Sequence, residues 1–162
     1  MVIRDATESD IVALAELHVM AWNQTYPEVA SPPTVALREQ QWRQLFGRKD
    51  GSWFVLVMED HGRLIGFAKG QRYRHSDLPQ FAGELNKLYL LREYHGRGLG
   101  RRLLVQVASR FLSQGIASMV LFSEPSNPTG GFFQAMGGEK VLAKNGEFHG
   151  AYGWGDLNRL AG

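Results

Sequence analysis

The spacing of apolar and polar residues changes period repeatedly along the chain, and each change predicts an element. Met1 to Arg4 reads as a short strand. Thr7 followed by Asp10 resembles a capping box with Asp in place of Glu or Gln. Ile11, Leu14, Ala15, His18, Ala21 and Trp22 then recur at helical spacing. Tyr26 to Thr34 contains three prolines and must be a loop, before a weaker helical pattern over Val35 to Phe46. Trp53 to Glu59 and Leu64 to Lys69 are β-rich runs joined by Asp60-His61-Gly62-Arg63, a hairpin signal. Gly70 to Gly83 is polar and irregular and reads as a loop.

Glu84 to Leu91 is strand-like and feeds a glycine-rich turn. Beyond it Leu99, Leu103, Leu104, Val107, Ala108, Phe111 and Leu112 share one helical face, and Gly115 supplies a stop. Ile116 to Phe122 reads as a strand buried on both faces. Ser123 to Pro128 turns into a shorter helix, with Pro128 suited to its first turn and Gly137-Gly138 to its end. Lys140 to Lys144 and Glu147 to Leu157 flank Asn145-Gly146, a strong hairpin signal. The order β-α-α-β-β-β-α-β-α-β-β predicts an α/β fold with mixed strand pairing.

Composition narrows the class. A chain of 162 residues is most simply one domain, residues 1–162, with a real core. A net charge of only +2 argues against a nucleic-acid partner. The absence of cysteine excludes disulfides, thiolate metal sites and thiol nucleophiles. The five histidines, at 18, 61, 75, 95 and 149, show no i, i+4 pairing, so no metal site is expected. No signal peptide or membrane-spanning run is visible, so a cytoplasmic protein with no membrane partner is the expectation.

Basic character is concentrated in Arg92-Glu93-Tyr94-His95-Gly96-Arg97-Gly98-Leu99-Gly100-Arg101-Arg102, which holds four arginines against one glutamate. A strand, a glycine turn and a helix start in succession make an anion cradle, because the first N–H groups of a helix have no intrahelical partner. The glycines at 96, 98 and 100 do not fit the dinucleotide fingerprint G-x-G-x-x-G, whose third glycine would fall where Arg101 stands. A P-loop is excluded because no glycine-lysine-serine or glycine-lysine-threonine triplet occurs. The glycines alone leave a purely structural strand-to-helix turn open.

His95-Gly96-Arg97-Gly98-Leu99-Gly100 resembles motif A of the GNAT superfamily of acyl-CoA N-acyltransferases, Gln/Arg-x-x-Gly-x-Gly/Ala. Glu84 to Leu91 resembles that family's central strand. Asn127-Pro128 through Phe132-Phe133-Gln134-Ala135-Met136-Gly137-Gly138 resembles its "Asn-Pro…Phe-Tyr…Gly-Gly" segment. Ala151 to Leu157 is similar to a C-terminal strand common in bacterial members, and Trp22 to Tyr26 to the end of their first helix. The resemblance spans nearly the whole chain. It implies a GNAT fold: a mixed sheet with helices on both faces and a splay between two central parallel strands.

It further implies acetyl-CoA as cosubstrate and a primary amine of a small molecule or peptide as acceptor, with a homodimer compatible with the family. The main chain of Leu88, Tyr89 and Leu90 would bond the pantetheine arm. The amides from Gly96 through Arg97, Gly98, Leu99 and Gly100 to Arg101 would seat the pyrophosphate, so Gly98→Val is expected to abolish binding while leaving the fold intact. His95 would offer phosphate a ring N–H or a cationic edge. Asn127 and Phe133 would border the CoA arm, and Trp22 and Tyr26 the acceptor. Glu84 matches the position of a carboxylate base that removes the amine's proton. Its structural alternative is an ordinary strand-end residue, as a turn or helix cap is for Asn127.

Two departures from the family pattern stand out. His95 occupies the Gln/Arg position. Phe133 falls where many members carry the tyrosine that protonates the departing thiolate, which a phenyl ring cannot do. Ser126, Tyr89, Tyr152 or water are candidate donors. The alternative function is a CoA-binding module of the same fold with little or no transferase activity.

Overall fold

The computed structural model describes residues 1–125 and 127–161. The chain runs β1 (Val2–Asp5), α1 (Ile11–Thr25), α2 (Val35–Phe46), β2 (Trp53–Asp60), β3 (Arg63–Arg72), β4 (Gly83–Leu90), α3 (Leu99–Ser113), β5 (Met119–Phe122), α4 (Gly130–Ala135), β6 (Glu139–Leu142), β7 (Phe148–Trp154) and α5 (Asn158–Ala161). The seven strands are hydrogen-bonded in the order β1-β2-β3-β4-β5-β7-β6. This is the expected α/β class, a mixed sheet with helices on both faces. Backbone proximity divides the chain into two compact units, Met1–Lys69 with Lys87–Leu103, and Gly70–Asn86 with Leu104–Gly162.

In the first unit β1 pairs antiparallel with β2, from Val2↔Glu59 to Asp5↔Leu56. Arg4 ties that pair to the start of α1: its Nη1 donates to Asp10 Oδ2 at 2.7 Å and its Nε to Glu59 Oε1 at 3.2 Å. Asp10 also accepts the backbone N–H of Thr7 at 2.7 Å, so aspartate does reach back over the first turn as a capping-box residue would. These bonds, the one from Arg4 foremost, hold the Asp10 carboxyl down at about 2. Thr34 caps α2 by accepting the N–H of Leu37 at 3.1 Å. The β2–β3 turn has positive φ at both central residues, His61 (50°) and Gly62 (82°), as a type I′ loop requires. Leu14, Val57, Met58, Ile65, Phe67 and Leu91 are fully buried.

In the second unit α3 and α4 end in the same way. Ile116 N–H reaches back to Phe111 O and Gly115 N–H to Leu112 O; Gly138 N–H reaches back to Phe133 O and Gly137 N–H to Gln134 O. Both are Schellman motifs, and each needs the left-handed conformation that Gly115 (φ 78°) and Gly137 (φ 92°) supply. β7 lies antiparallel to both β5 and β6. The β6–β7 hairpin is not a two-residue Asn-Gly loop. Gly146 N–H bonds Ala143 O, placing Lys144 and Asn145 at the turn's centre, and Gly146 (φ 83°) follows as the bulge residue.

Three element boundaries differ from expectation. Pro128 lies outside α4, which starts at Gly130 after the cap residue Thr129. The strand expected from Ile116 begins only at Met119, because the carbonyls of Ala117 and Ser118 are taken by Leu157 and Gly83. β3 continues to Arg72, shortening the predicted loop.

Candidate active site

The parallel ladder between β4 and β5 consists of two register pairs, Gly83↔Met119 and Glu84↔Val120. Both strands then continue, through Leu85–Asn86 on one and Leu121–Phe122 on the other, while β5 keeps pairing only with β7. The strands therefore splay two residues into β4. Leu88, Tyr89 and Leu90 are half-buried.

Twelve of the fifteen expected site residues fall in the first unit: Trp22, Tyr26, Leu88, Tyr89, Leu90 and the turn residues His95 to Arg101. After β4, Leu91 to Tyr94 form a single 3₁₀ turn, with Tyr94 N–H on Leu91 O at 2.9 Å. Arg92 holds the turn to the end of α1: its backbone N–H bonds Gln24 Oε1 at 2.8 Å and its Nη2 bonds Gln24 O at 2.6 Å. The first intrahelical bond of α3 runs from Arg102 N–H to Gly98 O at 3.2 Å. Gly98 is therefore the cap position, and the N–H groups of Leu99, Gly100 and Arg101 are the helix's orphan donors.

Gly96 and Gly98 have φ of 76° and 74°, and a Cβ at either would meet nothing within 4 Å. The two glycines satisfy the backbone and at the same time leave open space over the donors. Valine at 98 would be strained at that φ, so the expectation that Gly98→Val spares the fold is corrected. Arg97 stacks on the Tyr94 ring, 5.2 Å from its centroid, and the Tyr94 hydroxyl donates to Asp60 Oδ2 at 2.8 Å. Arg101 and Arg102 are exposed.

His95 departs from expectation. Its Nε2 lies 2.8 Å from Leu90 O, and since a carbonyl only accepts, that nitrogen carries the proton. The ring N–H expected to meet phosphate is thus engaged on the strand edge, leaving Nδ1 as the ring's other polar atom.

Trp22 and Tyr26 are half-buried, with ring centroids 5.1 Å apart at the end of α1. Tyr89 sits against His18 (5.6 Å) and Phe67 (5.5 Å), and burial pushes its hydroxyl up to about 12.

The second unit holds Glu84, Asn127 and Phe133. The Glu84 carboxylate is half-buried and accepts from Gln71 Nε2 and Asn86 Nδ2, both at 3.2 Å. No cation pairs with it among the described residues. Tyr73, which the sequence pattern did not single out, lies close enough for Asp77 and Glu84 to add to the burial that raises its hydroxyl. Asn127 Oδ1 accepts from the N–H and the hydroxyl of Thr129 at 2.9 and 2.6 Å, an Asx turn that leads into the cap residue of α4, so its oxygen has the turn role. Phe133 is buried against Tyr152 (5.6 Å) and Trp154 (6.3 Å). Of the candidate proton donors, Tyr152 belongs to this cluster, with its hydroxyl over the Cα of Gly130 at the start of α4. Ser126 lies outside the described residues.

A turn that presents orphan helix N–H groups at the end of a strand splayed from its parallel neighbour is the arrangement that the GNAT resemblance implies, and comparison with known proteins agrees. The profile of the acetyltransferase (GNAT) family matches residues 12–137, and the chain belongs to that family. It is 30% identical to the uncharacterized N-acetyltransferase YuaI of Bacillus subtilis (strain 168), over 98% of this chain and 95% of the relative. The PaiA N-acetyltransferase of Thermoplasma acidophilum, solved with coenzyme A, superposes with a TM-score of 0.76 at 21% identity, covering 94% of this chain and 96% of that one. The ribosomal-protein-alanine N-acetyltransferase of Brucella melitensis gives 0.70 at 24% identity, with 94% and 97% coverage. Among the described residues no helix is long and apolar enough to cross a membrane.

Proposed function

We propose that this protein is an acetyl-CoA-dependent N-acetyltransferase acting on a primary amine of a small molecule or peptide, with residues 1–162 as one catalytic domain. The observation that carries the reading is the glycine turn, whose open space lies over the unpartnered N–H groups of Leu99, Gly100 and Arg101 at the end of β4. That space fits a diphosphate, and Arg97, fixed on Tyr94, adds positive charge beside it. Main-chain groups of Leu88, Tyr89 and Leu90, apart from Leu90 O, which His95 holds, take the pantetheine amides as a further strand would. When bound, acetyl-CoA supplies an acetyl group already activated as a thioester.

Proton transfer falls to individual side chains. Glu84, held by two neutral amides and by no cation among the described residues, takes the proton of the acceptor ammonium at a carboxylate oxygen, directly or through water. Phe133 has no proton to give, so another hydroxyl or a water must protonate the departing sulfur, and the Tyr152 hydroxyl beside Phe133 is the candidate put to the test. Its replacement in Tyr152→Phe should lower kcat by about a hundredfold, the low end for loss of a general acid, because a thiolate leaves readily.

The test is free-thiol release from acetyl-CoA across an amine panel, paired with thermal unfolding. Acetyl-CoA at 100 times its Kd should stabilise the protein by about 2.7 kcal/mol. Stabilisation without turnover of any amine would favour the binding-module reading motivated by Phe133. No stabilisation at all would overturn both.

A further inference from the structure

Among the described residues, three buried side-chain polar atoms have no hydrogen-bond partner: His18 Nδ1, Arg38 Nε and Trp42 Nε1. All three lie in the first unit, on α1 and α2, and they are neighbours. The His18 and Trp42 rings meet edge-on at 5.6 Å, and both pack against Phe67. Arg38 and Trp42 stand one turn apart on the same face of α2. His18 and Trp42 are 2% and 3% exposed, so bulk water does not complete their bonding. Buried polar atoms are almost always satisfied, and three orphans in one cluster mark a place where something else binds.

The chemistry of the missing partner follows from the atoms. Trp42 Nε1 and Arg38 Nε can only donate, so the partner is an acceptor. Arg38 Nη1 already donates to Gln41 Oε1 at 3.0 Å. What remains is the Nε–Nη2 edge of the guanidinium, the fork that matches the two oxygens of a carboxylate. No carboxylate of the described residues pairs with Arg38, and its charge is half-buried and uncompensated, with burial lowering its pKa. Lys87 faces His18 from β4 and adds a second positive charge, and Tyr89 projects from the same side of that strand. Burial, Arg38 and Lys87 push His18 down to about 3, so at neutral pH it contributes a neutral ring without a competing charge. One fork and one indole N–H suit a carboxylate; a phosphate's additional oxygen and charge would call for more donors.

We propose that Arg38, Trp42 and His18 seat a carboxylate of the acceptor, so that the amine this protein acetylates belongs to an amino-acid-like molecule. The inference rests on the acetyltransferase reading and names the substrate class for it. Its test compares the twenty L-amino acids with their carboxamides as acceptors, with ethanolamine and phosphoethanolamine as a phosphate pair.

The best amino acid should exceed its own amide in kcat/KM by about 10- to 100-fold, the scale of a charge-assisted bond. That ratio should fall towards one in Arg38→Gln and to an intermediate value in Arg38→Lys, which keeps the charge but loses the fork. Acids and amides used equally well, or phosphoethanolamine favoured over every amino acid, would overturn the carboxylate seat while leaving the transferase reading intact. If no amine turns over, binding decides: titration calorimetry of the same amino acids and amides should show acid-selective binding that Arg38→Gln removes. Absence of such binding would overturn the seat independently of catalysis.

Discussion

The two units each bury a tryptophan in an aromatic cluster, and the clusters differ in one respect. In the second unit Trp154 packs edge-on against Phe133, and its indole N–H donates to Met136 O at 3.2 Å. In the first unit Trp42 packs edge-on against His18 and Phe67, and its N–H has no partner among the described residues. Similar burial thus serves two purposes. The Trp154 cluster is a completed interior that fixes α4 against β7, with Gly138 leaving room for the indole. The Trp42 cluster is an interior left polar and incomplete, which stability alone does not explain. Unsatisfied polar atoms, more than burial or aromatic content, separate a site from a core.

Removing the completed cluster should have the largest effect. Trp154→Ala deletes a buried indole and leaves Met136 O unpaired, and should cost about 3–5 kcal/mol in urea unfolding. A loss below about 1 kcal/mol would show that this cluster is not the closed core described.

The next effect belongs to the first unit and is driven by pH. His18 has its ordinary value near 6.5 when unfolded and about 3 when folded, depressed by burial and by Arg38 on α2 and Lys87 on β4, while the neighbouring Tyr89 stays neutral. Between those values the unfolded chain binds the extra proton, so stability falls as pH drops below about 6.5. From pH 6.5 to 5 the loss is about 2 kcal/mol. His18→Gln should remove that part of the pH dependence, and an unchanged slope in the variant would contradict a neutral buried His18.

The smallest effect is the most direct comparison. Trp154→Phe and Trp42→Phe lose the same volume, but only the first breaks a hydrogen bond, whereas the second removes an orphan donor. Trp154→Phe should therefore be the more destabilising by about 1 kcal/mol. Equal losses would mean the Trp42 N–H finds a partner within the folded chain.

Legibility in the sequence tracks how local each signal is. Gly115 and Gly137 end their helices by bonds spanning six residues, and the type I′ turn at His61-Gly62 is local, so all three were readable. Pro128 suits a first helical turn, yet the cap that starts α4 is Thr129, and nothing in the residues alone ranks those neighbours. The glycine turn could be read as an anion seat, but its engagement of His95 depends on where Leu90 O points after folding. The His18, Arg38 and Trp42 cluster left no sequence signal, since its meaning lies in bonds that are not made. His18 carried only its place on the helical stripe, and Arg38 and Trp42 belong to a helix whose pattern was weak.

The Asp60–Tyr94–Arg97 chain bears on how this motif could be reused. Asp60 closes the β2 side of a hairpin turn, yet through the Tyr94 hydroxyl it fixes the ring on which Arg97 rests. A designer who copied only the eleven-residue segment from Arg92 to Arg102 into another scaffold would carry over the glycines and the arginines but lose the post that aims one of them. The portable module is the segment together with a hairpin acid at the right height, and a graft without it would present Arg97 as a loose charge.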